Sequence, residues 1–223
     1  MARLMFMRHA QATHGWNDHG RGLTDIGRRQ ARQVAIQLAE YGPIDCVLVS
    51  DAQRTQETYR QLHAAGCSGA EVYYLSQLYG GGVADVWQAV CDYAHVLANP
   101  QAATMLVIGH EPTMSAAAFA TWDGVVADAD TASNAMSGGV ALESRQSSSD
   151  HGDCGQVGSG DCAVLADGDA RQQRSAKAGN APRNMVLGRG FSTATCAIFE
   201  CDDLRVVGAR VGRFVGGCQP SSY

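Results

Sequence analysis

A chain of 223 residues, 45% of them apolar, is long enough and apolar enough for one ordinary domain with a real core. A formal net charge of −5, with only 17% charged residues, leaves no basic surplus for nucleic acid or an anionic membrane. No apolar stretch approaches membrane-spanning length and none of the eight cysteines forms a Cys-x-x-Cys, so a cytoplasmic, reduced protein is expected, without a zinc ribbon or a dithiol redox pair.

Residues 3–6 read as a buried strand that runs into Met7-Arg8-His9. Thr24 then reads as a helix N-cap with Asp25 in the first turn, and Ala31, Val34, Ala35, Leu38 and Tyr41 follow at helical spacing until Gly42-Pro43. Residues 45–49 are a second buried strand, followed by a helix over 52–63. Residues 71–75 read as a third strand. Gly80-Gly81-Gly82 leads into a helix with Val86, Val90, Tyr93 and Leu97 on one face. Residues 104–108 form the most apolar strand, and Pro112 fits the first position of a helix reaching about Ala120. This alternation predicts an α/β fold: three layers, α/β/α, around a mostly parallel sheet.

The pattern stops near Ser137. Residues 137–189 are rich in Gly, Ser, Asp and Ala and read as a flexible insertion. Residues 195–200 and 204–207 read as a closing hairpin of two strands, and 211–223 as a loosely attached tail. The compact domain therefore comprises 1–136 and 190–210.

Three strand ends carry polar residues of one kind: Arg8-His9, then Ser50-Asp51-Ala52-Gln53-Arg54-Thr55, then Gly109-His110-Glu111-Pro112. Carboxyl ends of parallel strands converge on one crevice, so two arginines and two histidines can surround a single point. Guanidinium forks and helix N-termini suit a phosphate dianion, and an imidazole can act as base, acid or nucleophile. Taken singly, Arg54 reads equally as a solvated helix residue, His110 as a turn histidine, and Glu111 as a carboxylate favouring a helix N-terminus. Repetition at three strand ends is what those readings leave unexplained.

These motifs, with Arg21-Gly22-Leu23-Thr24-Asp25-Ile26-Gly27, resemble the histidine phosphatase superfamily, whose fold is phosphoglycerate-mutase-like, and within it the SixA-type phosphohistidine phosphatases. The resemblance spans residues 3–120 and, weakly, 190–207. It implies that His9 is a nucleophile that becomes phosphorylated, with Arg8, Arg54 and His110 completing the phosphate pocket. Neutral His9 would attack phosphorus, adjacent Arg⁺ disfavouring its protonated form, and a protonated His110 would donate to a phosphoryl oxygen. Arg21 matches an Arg-Pro-Leu-Thr position in which Gly22 replaces proline. Arg21, Thr13 and Asn17 stand where substrate or phosphate contacts are expected, although Arg21 reads equally as a structural loop residue.

Mutases and many phosphomonoesterases of that superfamily carry a glutamate after the third strand, as acid for an alcohol leaving group. Here Gln77 stands there, which favours a leaving group that needs less help, such as the imidazole of a phosphohistidine. Asp85 or Glu111 remain alternative acids. The expected activity is a phosphatase without metal or cofactor, acting on a phosphorylated substrate, most simply a histidine-phosphorylated protein. The alternatives are a small-molecule phosphomonoesterase and a non-catalytic phosphate-binding module. A metal cluster of His9, His14, His19 and Asp18 is a further alternative without a recognised ligand spacing.

Overall fold

The apolar runs at residues 2–8, 44–50 and 104–109 become neighbouring strands because each is buried on both faces, the pattern of a parallel sheet covered on two sides. A computed structural model describes residues 1–126 and 190–221. Its elements are β1 (Ala2–Arg8), α1 (Asp25–Leu38), β2 (Ile44–Ser50), α2 (Gln53–Ala64), β3 (Gly69–Leu75), α3 (Gln77–Gly80), α4 (Val83–Ala94), β4 (Thr104–Gly109), α5 (Thr113–Thr121), β5 (Trp122–Val126), β6 (Cys196–Cys201) and β7 (Gly212–Cys218).

The strands form one sheet in the order β3-β2-β4-β1-β6-β7-β5. The pairs β3/β2, β2/β4, β4/β1 and β7/β5 are parallel, and only β6 runs against its neighbours. Alternate residues of β1 feed two cores. Leu4 and Phe6 pack with Val86 and Val90 of α4 and Met114 and Ala117 of α5. Met5 and Met7 pack with Val34 and Leu38 of α1 and Leu62 of α2. The expected three-layer α/β/α arrangement with a mostly parallel sheet is what the chain adopts. Thr24 caps α1 as expected, its hydroxyl accepting from the Gly27 amide at 3.0 Å.

Several expectations need correction. Residues 204–207 are not a strand: Leu204–Val206 is a single 3-10 turn, started by Asp203, whose carboxylate accepts from the Arg205 amide. The hairpin partner of β6 is β7, so Gly212–Cys218, expected to lie in a loose tail, is instead a strand of the sheet. Glycine there serves close packing, since a Cβ at Gly212 would lie 2.8 Å from Thr121 Cγ2 and one at Gly216 only 2.2 Å from the Tyr41 hydroxyl. Pro112 sits one residue earlier than expected, in the cap position of α5, and Leu97 lies beyond the end of α4. The short α3 and the edge strand β5 add to the expected elements. The proposed insertion at 137–189 lies outside the described residues.

Candidate active site

Because β4 lies between β1 and β2, their carboxyl ends are adjacent, and the His9 amide donates to the Gly109 carbonyl at 3.0 Å. This brings His9, His110 and Ser50 together, and α2 starts close enough for Arg54, in its first turn, to reach them. A cavity of about 620 Å³ opens over these strand ends, lined among others by Arg8, His9, Asp18, Arg21, Arg54 and His110. Of the residues expected at the site, these five arginines and histidines converge.

His9 is buried, only 9% exposed. Its Nδ1 lies 2.7 Å from the Ala10 carbonyl, which can only accept, so Nδ1 carries the proton and Nε2 presents a lone pair. That lone pair accepts from Arg54 Nε at 3.3 Å. Burial pushes the His9 pKa down to about 4, against the Ala10 hydrogen bond, which raises it; the charges of Arg54 and Arg8 push the same way as burial. The ring is therefore neutral at pH 7, with burial a larger cause than the neighbouring arginine credited from sequence.

His110 Nε2 lies 2.8 Å from Ser50 Oγ, and its Nδ1 is buried without a hydrogen-bond partner among the described residues. Burial, followed by the charges of Arg54 and His9, lowers its pKa to about 3. The expectation of a protonated His110 is thus corrected: burial keeps the ring neutral, with one N–H to give. The two imidazoles lie 5.2 Å apart, centre to centre.

Arg8 NH1 donates to the Phe191 carbonyl at 2.6 Å, while the Phe191 amide donates to Glu111 Oε1 at 2.9 Å. Glu111 Oε2 accepts from Ser115 Oγ at 2.5 Å. Both oxygens of Glu111 thus act as acceptors, and the Phe191 peptide is clamped between Glu111 and Arg8. Asp85 is occupied elsewhere, accepting from the Gly82 amide to cap α4. Gln77 is exposed at the start of α3.

Asp18 forms the outer wall. Its carbonyl accepts from Arg54 NH1 at 2.6 Å, and its Oδ2 from Arg54 NH2 at 3.1 Å and the Tyr79 hydroxyl at 2.7 Å. Its Oδ1 accepts from Arg21 Nε at 2.9 Å and also from Arg21 NH2. The Tyr79 hydroxyl and Arg21, with Arg54 adding charge, hold this carboxyl well below the usual carboxylate range. The Tyr79 ring packs edge-on to His110 at 5.4 Å, with the Arg54 guanidinium 5.7 Å from its centre.

Thr13 and Asn17 are not brought to the cavity. The Thr13 hydroxyl donates to the Gly22 carbonyl and its own carbonyl accepts from Arg21, while Asn17 Oδ1 accepts from the Gly20 amide. Both brace the loop that carries Asp18 and Arg21. Sequence reasoning considered Asp18 only as a metal ligand and missed Tyr79 altogether. The opposite charges at positions 18 and 21 were the available signal for the first. Among the described residues no three His, Cys, Asp or Glu gather as a metal site, and His19 pairs instead with Asp51 at 3.0 Å. Among them, too, no helix is long and apolar enough to cross a membrane.

Three guanidiniums and two neutral imidazoles, one offering a lone pair and one an N–H, make a pocket suited to a tetrahedral dianion. Residues 4–78 match the family model of the histidine phosphatase superfamily, branch 1. An uncharacterized protein of Mycobacterium tuberculosis, Rv1276c, is 35% identical over 116 residues, covering 51% of this chain and 68% of that protein. The structure of a Nakamurella multipartitia protein, assigned as a phosphohistidine phosphatase SixA, superposes with a TM-score of 0.60 at 25% identity, over 99% of this chain and 97% of that one. A protein histidine phosphatase SixA complexed with tungstate shares the fold at 18% identity, with a TM-score of 0.60 over 98% and 97% of the two chains.

Proposed function

This chain belongs to the histidine phosphatase superfamily and is a phosphatase, and we propose that it works through a phosphohistidine intermediate on His9 and takes its phosphoryl group from a histidine-phosphorylated protein. The observation that carries the reading is the hydrogen bond from His9 Nδ1 to the Ala10 carbonyl, which leaves Nε2 as the free nucleophilic atom beside Arg54. In the first step Nε2 attacks phosphorus and the bond from phosphorus to the leaving group breaks. Arg8 and Arg54 neutralise the phosphoryl oxygens, and the N–H of neutral His110 donates to one of them, as charge spreads over the oxygens in a loose transition state. In the second step water attacks phospho-His9, releasing inorganic phosphate and restoring the lone pair on Nε2.

The leaving group is argued from the acids. An alkoxide needs a proton donor, yet Gln77 is an amide, Asp85 caps a helix, and both carboxylate oxygens of Glu111 accept hydrogen bonds. Imidazole leaves without a donor once its remote nitrogen is protonated. The resemblance to the Nakamurella protein supports the same substrate class.

The test compares hydrolysis of a phosphohistidine peptide with that of an aryl phosphate, in EDTA, by wild type and His9→Ala. Turnover of the peptide with the higher kcat/KM, lost in the variant, is expected. Preference for a small phosphomonoester over the peptide would favour a small-molecule phosphatase instead.

A further inference from the structure

Asp18 is an ionised carboxylate at the edge of a pocket built for anions, with its side chain about half exposed and turned to the outer donors of Arg54 and Arg21. In a phosphate-binding site this is costly unless it does something, because a fixed negative charge repels the ligand. Its contacts divide Arg54 in two. NH1 and NH2 are held by the Asp18 carbonyl and carboxylate, while Nε alone faces His9. Arg21 is likewise taken up, by Asp18 and by the Thr13 carbonyl. A substrate whose phosphoryl group carries a neighbouring carboxylate would therefore meet a negative charge outside the phosphoryl subsite, one that offsets the outer charge of Arg54 and Arg21. A substrate whose leaving group is a cationic ring would meet that same negative charge with attraction.

Resting on the phospho-His9 reading above, we propose that Asp18 is the specificity-determining residue of this pocket: its fixed negative charge, held in place by Arg54, Arg21 and Tyr79, rejects acidic leaving groups and favours a cationic imidazolium leaving group. The bookkeeping closes without a general acid. The substrate ring is protonated on the nitrogen remote from phosphorus, and the negative charge of Asp18 at the rim stabilises that cationic form. When His9 Nε2 bonds to phosphorus, the N–P bond of the substrate breaks and its electron pair stays on the departing nitrogen. The ring leaves as neutral imidazole, still holding its remote proton. His9, protonated on Nδ1 throughout, becomes the cationic phosphoimidazolium, so one positive ring replaces another.

Asp18→Asn keeps an acceptor of similar shape but removes the charge, and Asp18→Glu restores the charge. The experiment measures kcat/KM of the full chain and both variants for phosphoimidazole, 4-nitrophenyl phosphate and 3-phosphoglycerate. In Asp18→Asn the ratio of phosphoimidazole to aryl phosphate is expected to fall roughly 10- to 100-fold, the scale on which one nearby opposite charge favours a protonated ring. The ratio of 3-phosphoglycerate to aryl phosphate should rise, and Asp18→Glu should recover part of the first ratio. Equal losses on all three substrates, with ratios unchanged, would mean that Asp18 only braces Arg54, and would overturn this inference alone. Failure of the wild type to turn over any of them through His9 would remove the phospho-His9 reading and this inference with it.

Discussion

Arg54 Nε donates to His9 Nε2 across 3.3 Å, so a guanidinium N–H rests on the lone pair proposed to attack phosphorus. A phosphoryl group that enters must take that donor over, and Arg54 then turns from a partner of nitrogen into a partner of oxygen without leaving Asp18. Lysine can provide the charge but not three donors in one plane. Arg54→Lys is expected to lower kcat/KM by roughly 10²- to 10³-fold, the usual cost of removing one preorganised donor to a transition-state oxyanion. Arg54→Gln should in addition raise the His9 pKa, because a charge that depresses it is lost; NMR titration of the ring reads this directly.

The two buried histidines set the acid limb. With pKa values near 4 for His9 and 3 for His110, against an ordinary 6.5, both are neutral across pH 5–8 in the free protein. Their ring resonances should not titrate in that range. The unfolded chain protonates both near 6.5, so unfolding takes up protons in the window between the two sets of values. Their contribution to stability is full above 6.5 and is lost as pH falls from 6.5 through about 4 and 3. Denaturant titrations across pH 3–8 check the sign, and stability that rises on acidification through this window would contradict it.

Glu111 separates a clamp from an acid. If its role is to hold the Phe191 peptide against Arg8, Glu111→Gln keeps a carbonyl acceptor and should retain activity within about threefold, whereas Glu111→Ala leaves the Phe191 amide unpaired and should lose about tenfold in kcat/KM. If Glu111 were the proton donor, the glutamine variant would be as impaired as the alanine one. Steady-state kinetics of the two variants on an aryl phosphate decides between them.

Gly27 ties helix α1 to the nucleophile. A Cβ there would sit 2.1 Å from the Gln11 carbonyl oxygen, one residue beyond the carbonyl that fixes the His9 proton. Alanine ordinarily gains up to about 1 kcal/mol over glycine inside a helix. A backbone atom cannot yield as a side chain can, and such overpacking costs about 1–3 kcal/mol or more. Gly27→Ala is therefore expected to destabilise the protein on balance, by about 1 kcal/mol or more in denaturant unfolding.

The parts of the molecule legible in its sequence are those written locally. Continuous apolar runs marked β1, β2 and β4, and the arginines and histidines at their ends announced the crevice, because parallel strands fix which ends meet. β7 was hidden because the glycines that let Thr121, Phe199 and Tyr41 pack closely also have the composition of a loop. Asp18 and Tyr79 stand 61 positions apart, and Glu111 and Phe191 stand 80 apart, so neither contact leaves a trace in spacing. The neutrality of His110 was hidden for a similar reason: it follows from depth of burial, which no motif records.

The central claim is that phosphorus bonds to His9 Nε2, and trapping that bond tests it most directly. The protein is mixed with a labelled phosphoryl donor, quenched in alkali within milliseconds and mapped by mass spectrometry. The account predicts acid-labile, alkali-stable phosphate on the peptide that contains His9, absent in His9→Ala and released on further turnover. Brisk turnover with no label on His9, or equal turnover by His9→Ala, would contradict it.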